Sequence, residues 1–511
     1  MNRTRFEQNL DALISQFSQK RFHGWLHVGL IAALLSWTLV IFAQNFDPDI
    51  DVFTRIAIGS YIHQHGEVPM QDPYAFTPTK QIWHDHELIP AMLFYATDTV
   101  GGLSALFCLK LIFCLVTIVL IDKAQSRIQS RGLFSFFLLT LSILGSSIVW
   151  YSNTRAHVVT FFSYSYLLYA FSTYSSTGKR GPLMAIPFVM FVWVNSHGGF
   201  VVGMVALALY CASLVATKQQ SSKTPIIILL LSTITLFATP YGASFLWFIA
   251  DAITHTPRHV PTDPPVCIGE WLPPSLGSPG QSIPALFLIC VAYGAYLRPG
   301  ALSIEGLLLL LMTAWGGFNH IRFLPFLFLT LGVYGLTPLS VVYAHMRERF
   351  PRAAMIERSL FIWMGVMTAV GIGFSVFVGT TLSKGLPPVK TSWGSRDALD
   401  WLLANRAGGN LLTHYNEGSY ALYRVHPKFK ISLDGRFDGA FPLSTLDIVN
   451  AACDCSNKRH QQALSQINPD FVLTTTVIYR DVTRPSSTLC FPGYREVFSD
   501  KNYIVLERNT Q

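Results

Sequence analysis

Apolar residues in this chain come in long blocks, not in alternation. Blocks at 24–43, 103–121, 133–150, 157–173, 182–196, 199–216, 225–240, 283–297, 302–318, 323–344 and 359–382 are nearly free of charge. A helix needs about 20 mostly apolar residues to cross the hydrocarbon core of a bilayer. The pattern therefore predicts an all-α polytopic membrane region of about eleven spans. Past residue 382 the pattern changes. NLLTHY, FKISLD, DFVLTTT and NYIVLE predict short strands, and WGSRDALDWLLAN predicts a helix opened by a Ser cap. Two domains are expected: a transmembrane one over 1–382 and a soluble α/β one over 383–511. No repeat or low-complexity segment interrupts them.

Composition agrees. Of 511 residues, 51% are hydrophobic and 13% charged, against roughly a quarter charged in soluble domains. The formal charge of +8 does not point to nucleic acid, because in a membrane protein excess Lys and Arg is topological. DKAQSRIQSR, STGKRG, KQQSSK, RPG and MRERFPRAAMIER occupy every second connection, and all carry Lys or Arg. That alternation predicts a multi-pass membrane protein with a cytoplasmic N-terminus. The loop at 44–102, the loop at 241–282 and the C-terminal domain then lie outside. No small-residue cleavage site follows the first block, which reads as an uncleaved span. The eight cysteines lack metal-ligand spacing. Cys108, Cys114, Cys211 and Cys290 read as core packing. An extracytoplasmic tail would let Cys490 pair with Cys453 or Cys455.

Polar residues gather on the outer face. Asp47, Asp49, Asp51 and Arg55 follow the first block, and His84, Asp85, His86 and Glu87 close the same loop. Arg155 and His157, Asn195 and His197, Tyr241, Glu270, Asn319, His320 and Arg322 fall between later blocks. Three carboxylates at alternate positions repel one another unless a cation or water separates them. Next to a helix end they suit a general base, or oxygen ligands of a divalent cation such as Mg or Mn, with Asp47, Asp49 and Glu87 the candidate set. The HDHE run could add acid–base groups, or simply be the polar start of an amphipathic helix on the interface. An arginine well inside a membrane costs ~2.5–3.5 kcal/mol, which a partner anion offsets. Arg155, Arg322 and His320 are accordingly candidates for a lipid phosphate. Asp51, Arg55, His84, His86, Glu87, His157, Asn195, His197 and Glu270 are auxiliary or acceptor-side candidates. His63, His65 and Arg258 read as solvated or snorkelling. Asp434, Arg436 and Asp438 in LDGRFDGAF lie on a turn after a strand, a structural turn or a carbohydrate surface.

These motifs resemble the GT-C membrane glycosyltransferases, a superfamily that includes the oligosaccharyltransferase catalytic subunit, the protein O-mannosyltransferases and the aminoarabinose transferases. FDPDIDVFTRIAIGSYIHQHG is similar to the FDP…R…HG opening of the oligosaccharyltransferases and places Asp47 on their essential aspartate. GEVPMQDPYAFT, WVNSHGGF, TPYG, EWLPP and GSY…LDGRFD resemble a broad group of bacterial GT-C-like proteins along nearly the whole chain. The resemblance implies transfer of a sugar, with inversion, from a polyprenyl phosphate or diphosphate to a glycan, lipid or protein acceptor. It implies Asp47 or Asp49 as the acceptor's base and Arg155 or Arg322 at the leaving phosphate. WWDYG, the peptide-recognition signature, is absent, and IGEW around Glu270 is only a loose counterpart of the family's glutamate motif. Two rivals stand beside this reading. A flippase for lipid-linked sugars would place ionisable groups at the midplane of repeated halves, where only Lys110 is a candidate. A noncatalytic partner would keep the fold without the chemistry.

Overall fold

The computed structural model describes residues 49–129, 133–150, 155–218, 221–255, 269–349 except 276, 394–479 and 490–509, with a few isolated positions between. The blocks at 24–43 and 359–382 fall almost wholly outside the described residues, as does Asp47.

The helical part begins with α1, Ile50–His65, and α2, Leu88–Ile128. It continues with α3, Leu133–Trp150; α4, His157–Thr177; α5, Ile186–Val194; and α6, Phe200–Thr217. Then come α7, Lys223–Ile234; α8, Pro279–Leu297; α9, Ile304–Asn319; α10, Leu324–Tyr334; and α11, Leu336–Arg349. A helix thus lies at every predicted block from 103–121 to 323–344. Eleven spans, however, is more than the helices support. Among the described residues, α2, α6 and α8 are long and apolar enough to cross a membrane. The pair Ile321–Tyr334 and Leu336–Met346, bent by 61°, raises the number to four at most. Several of the others are too short.

Local chemistry explains the ends that matter. Asp49 caps α1, its Oδ1 accepting the Asp51 N–H at 3.0 Å, and Gly66 closes the helix at φ 71°. Gly59 lets α1 lie directly on α2, since a Cβ there would overlap the Ala91 carbonyl. α2 breaks at Gly101 and Gly102, whose torsions are not helical. The ELIPAMLFYATD stretch is thereby set apart from the apolar span after it. α4 is the inner helix, packed on α2, α5, α6 and α10. Thr160, Ser163, Tyr164, Ser165, Ser172 and Thr173 on it are buried, and Tyr164 bonds Thr330 at 2.7 Å.

The C-terminal part is α12, Arg396–Asn405; β1, Gly409–Thr413; α13, Tyr415–Val425; β2, Phe429–Ile431; α14, Leu443–Cys453; and α15, His460–Ile467. It ends with β3, Phe471–Thr475; β4, Tyr494–Ser499; and β5, Tyr503–Arg508. The sheet order is β2-β1-β3-β5-β4, parallel across β2, β1 and β3 and antiparallel beyond. Ser395 does precede α12, but its hydroxyl makes no cap bond; it donates to Glu417 at 2.7 Å instead. Cys490 is bridged to Cys455, leaving Cys453 a buried thiol.

The first loop and this sheet are one structure. Ala75 bridges Ile431 on β2, with Phe76 N–H donating to the Ile431 carbonyl and Ile431 N–H to that of Tyr74, both at 3.1 Å. Beside this seam Arg436 is buried between Asp434, at 2.7 Å, and Asp72, at 2.9 Å. Its guanidinium lies 5.0 Å and 4.5 Å from the ring centres of Tyr74 and Trp83. The LDGR turn is therefore a structural fastening, and Asp434 and Arg436 form no exposed carbohydrate surface.

Candidate functional site

One guanidinium gathers three acids from two distant parts of the chain. Arg155, just ahead of α4, places Nε 2.6 Å from Asp49, Nη2 3.4 Å from Asp51 and Nη1 3.3 Å from Glu270. Asp49 is buried, whereas the Asp51 and Glu270 side chains are 32% and 38% exposed. Burial first, then repulsion from Asp49, pushes the Asp51 carboxyl up to about 8 against the pull of Arg155. Tyr415 and Gly435 of the sheet domain close over this group. A Cβ at Gly435 would overlap the Asp51 carboxylate, and the Tyr415 phenol, pushed up mainly by burial, also feels Asp51.

A second arginine, Arg55 on α1, holds other acids. Its Nη1 is 2.5 Å from Asp85 and its Nε 3.1 Å from Glu87. Asp85 is fixed further, its N–H donating to the Tyr241 hydroxyl at 2.9 Å. The HDHE run thus supplies ion-pair partners just before α2, which fits both of its readings in part.

Arg322 is different. It stacks on Trp271, 4.1 Å from the ring centre, and no carboxylate among the described residues pairs with it. The stack is held by two turns fastened together: His320 Nδ1 meets the Trp271 carbonyl at 2.7 Å, and Ile321 N–H donates to Leu272 at 3.0 Å. A desolvated cation on an aromatic face gains ~2 kcal/mol, which orients the guanidinium without neutralising it.

Three histidines line the same end of the bundle. The His157 and His197 rings are 6.4 Å apart, and His86 is 6.5 Å from His197. His157 Nε2 is buried with no hydrogen-bond partner among the described residues. His197 has a defined tautomer. Trp193 Nε1–H donates to Thr160 Oγ1 at 2.8 Å, and that hydroxyl lies 2.8 Å from His197 Nδ1. Gly199 N–H also donates to Nδ1, at 3.1 Å. Nδ1 is therefore an acceptor and the ring proton is on Nε2. Burial, with Arg322 next, holds His197 well below the usual imidazole range, so the ring is neutral.

Of the predicted residues, Asp49, Asp51, Arg155, Glu270, His157, His197 and Arg322 come together, with Arg55 and Glu87 beside them. Asp47 lies outside the described residues. Arg155 is bound to acids and is not a free phosphate ligand. His320 is committed to the Trp271 carbonyl. His84 is set aside from the acids, its Nε2 on Ser244 at 3.0 Å and its ring on Phe248. Asn195 is structural, its amide donating to Phe191 and Ala238 carbonyls at 3.0 and 3.1 Å. Asp49 and Glu87 sit on different arginines, and Asp47, the third member of the expected metal set, lies outside the described residues. Among the described residues the one group spaced to hold a metal is Cys455, His460 and Cys490 in the sheet domain, and its two sulfurs are bridged. Thr160, Trp193, Trp271 and Gly435 were not legible as site residues, because each acts through a neighbour distant in sequence.

With that geometry in hand, the fold can be placed: it is similar to those of solved oligosaccharyltransferases and of ArnT. The apo oligosaccharyltransferase of Archaeoglobus fulgidus aligns over 91% of this chain and 71% of its own, at a TM-score of 0.57 and 12% identity. The same organism's enzyme AglB, solved with an inhibitory peptide and a dolichol-phosphate, aligns over 89% of this chain and 69% of its own, at 0.54 and 12%. Apo ArnT from Cupriavidus metallidurans aligns over 94% and 97%, at 0.50 and 12%. No protein-family model and no curated protein matches the sequence.

Proposed function

We propose that this chain is an integral membrane glycosyltransferase. It moves a hexosyl or pentosyl unit from a polyprenyl phosphate or diphosphate to a glycan, lipid or protein acceptor of the cell envelope. The transmembrane part would be 1–382 and the outer domain 383–511, with the cleft on the extracytoplasmic face of a bacterial inner membrane. The observation that carries this reading is Arg322. It is an oriented cation with no acid partner among the described residues, at the rim of apolar helices and beside an acid cluster.

In this scheme the acceptor hydroxyl or amine attacks the anomeric carbon from the face opposite the phosphate. The bond from that carbon to the phosphate oxygen breaks, and the acceptor's proton passes to a carboxylate. Asp49 is tied to Arg155 and to the α1 cap. Asp51, partly exposed to the cleft, is then the described carboxylate best placed to take the proton, with Asp49 fixing its surroundings. The leaving phosphate gains charge in the transition state, where Arg322 and the His197 Nε2–H stabilise it. Gly435 and Tyr415 cover the cleft.

A labelled polyprenyl-phosphate sugar tests this. Wild type should release or transfer the label, and Asp51→Asn and Arg322→Met should each lower turnover about 10²-fold or more. Movement of intact donor across liposomes, with no label released and no effect of either substitution, would mean a flippase instead.

A further inference from the structure

Three acids from two separate segments of this cleft converge on one side chain, the guanidinium of Arg155. We propose that Arg155 is the resident cation of the site, and that the wild-type protein binds no divalent metal there. The inference deepens the transferase reading by assigning how its acid cluster is neutralised; its binding test does not need turnover.

Three observations support it. First, each carboxylate is on a different nitrogen of Arg155: Nε for Asp49, Nη2 for Asp51 and Nη1 for Glu270. A guanidinium presents five N–H groups in a fixed plane, so it can bridge acids from separate segments as an ion does. Second, with Arg155 between them the described donors stand too far apart for a hard divalent ion. Such an ion takes about six or more oxygens at ~2.0–2.6 Å. No three carboxylate or imidazole ligand atoms of the described cleft residues come close enough together to hold one, and Glu87 is drawn off by Arg55. Third, Arg155 stands where local preference disfavours a cation. It directly precedes α4, whose N-cap Ala156 has no side-chain cap bond, and positive charge at a helix N-terminus opposes the macrodipole. The acids, not the helix, account for its position.

The test is Mn²⁺ binding followed by electron paramagnetic resonance on the full-length protein in detergent. The variants are wild type, Arg155→Ala, and Arg155→Ala combined with Asp49→Asn. The expected result is no site-bound Mn²⁺ in wild type, one bound ion in Arg155→Ala, and its loss in the double variant. Wild-type Mn²⁺ binding that Asp49→Asn abolishes would overturn the proposal, and needs no Arg155 variant to fold. So would an Arg155→Ala protein that keeps its melting transition but binds no Mn²⁺. Where turnover is measured, EDTA should leave the wild-type rate unchanged; loss restored by Mn²⁺ would count against Arg155. Absence of any transfer would instead strike the transferase reading and leave the binding result standing.

Discussion

Arg155 and Arg436 both hold carboxylates brought together from distant segments, and they do so in opposite ways. Arg436 is sealed: its side chain is 1% exposed, and Asp72 and Asp434 are at 0%. Nε, Nη1 and Nη2 all donate, at 2.7–3.1 Å, and aromatic rings cover the plane. Arg155 is 31% exposed, its acids are at unequal distances, and they outnumber it three to one. A dry, fully bonded pair has one arrangement and serves the fold. A wetter, over-acidic group has proton positions and partners to exchange, which is what group transfer needs.

Substitutions should separate the two. The largest effect is expected at the sealed site. Arg436→Met strands Asp72 and Asp434 in the interior, and breaking a buried pair in this way costs ~3–5 kcal/mol. Thermal melting should fall, and limited proteolysis should show the sheet domain released from the first loop. Next is Arg155→Met. The predicted loss is about 10²–10³-fold in turnover, with a smaller fall in melting than for Arg436→Met, since Arg155, Asp51 and Glu270 are partly exposed. Equal damage to melting and turnover would make Arg155 a second fastening. Smallest is Gly435→Ala, where the new methyl overlaps Asp51. Overpacking of this kind costs ~1–3 kcal/mol, and turnover should drop while Arg436 keeps the domain attached. An unchanged rate would show that the LDGR turn does not need to touch the acids.

The comparison also explains what the sequence could reveal. Apolar blocks located the helices because an 18-residue run has few alternatives, but of the described helices only three, or four with the bent pair, are long and apolar enough to cross a membrane. YREVFS, now β4, escaped notice because it is an edge strand with little buried on either face. Several polar residues at block ends, among them Asp49, Asp51, Arg155 and Glu270, do meet in the folded chain. Their pairing was not legible. SNTRAH says nothing of acids 115 residues onward at Glu270, and LDGR says nothing of Asp72, 364 residues before it. Such contacts exist only after the chain folds. The tautomer of His197 depends likewise on Trp193 and Thr160, which read locally as ordinary helix residues.

The central claim is a division of labour between a guanidinium committed to acids and another left for an anion. A density map of the protein with a polyprenyl phosphate bound examines it most directly. The account predicts phosphate oxygens within hydrogen-bond reach of Arg322, beside His197, while Arg155 stays on Asp49 and Glu270. A phosphate held by Arg155 with Arg322 turned away, or one bound elsewhere on the protein, would contradict it.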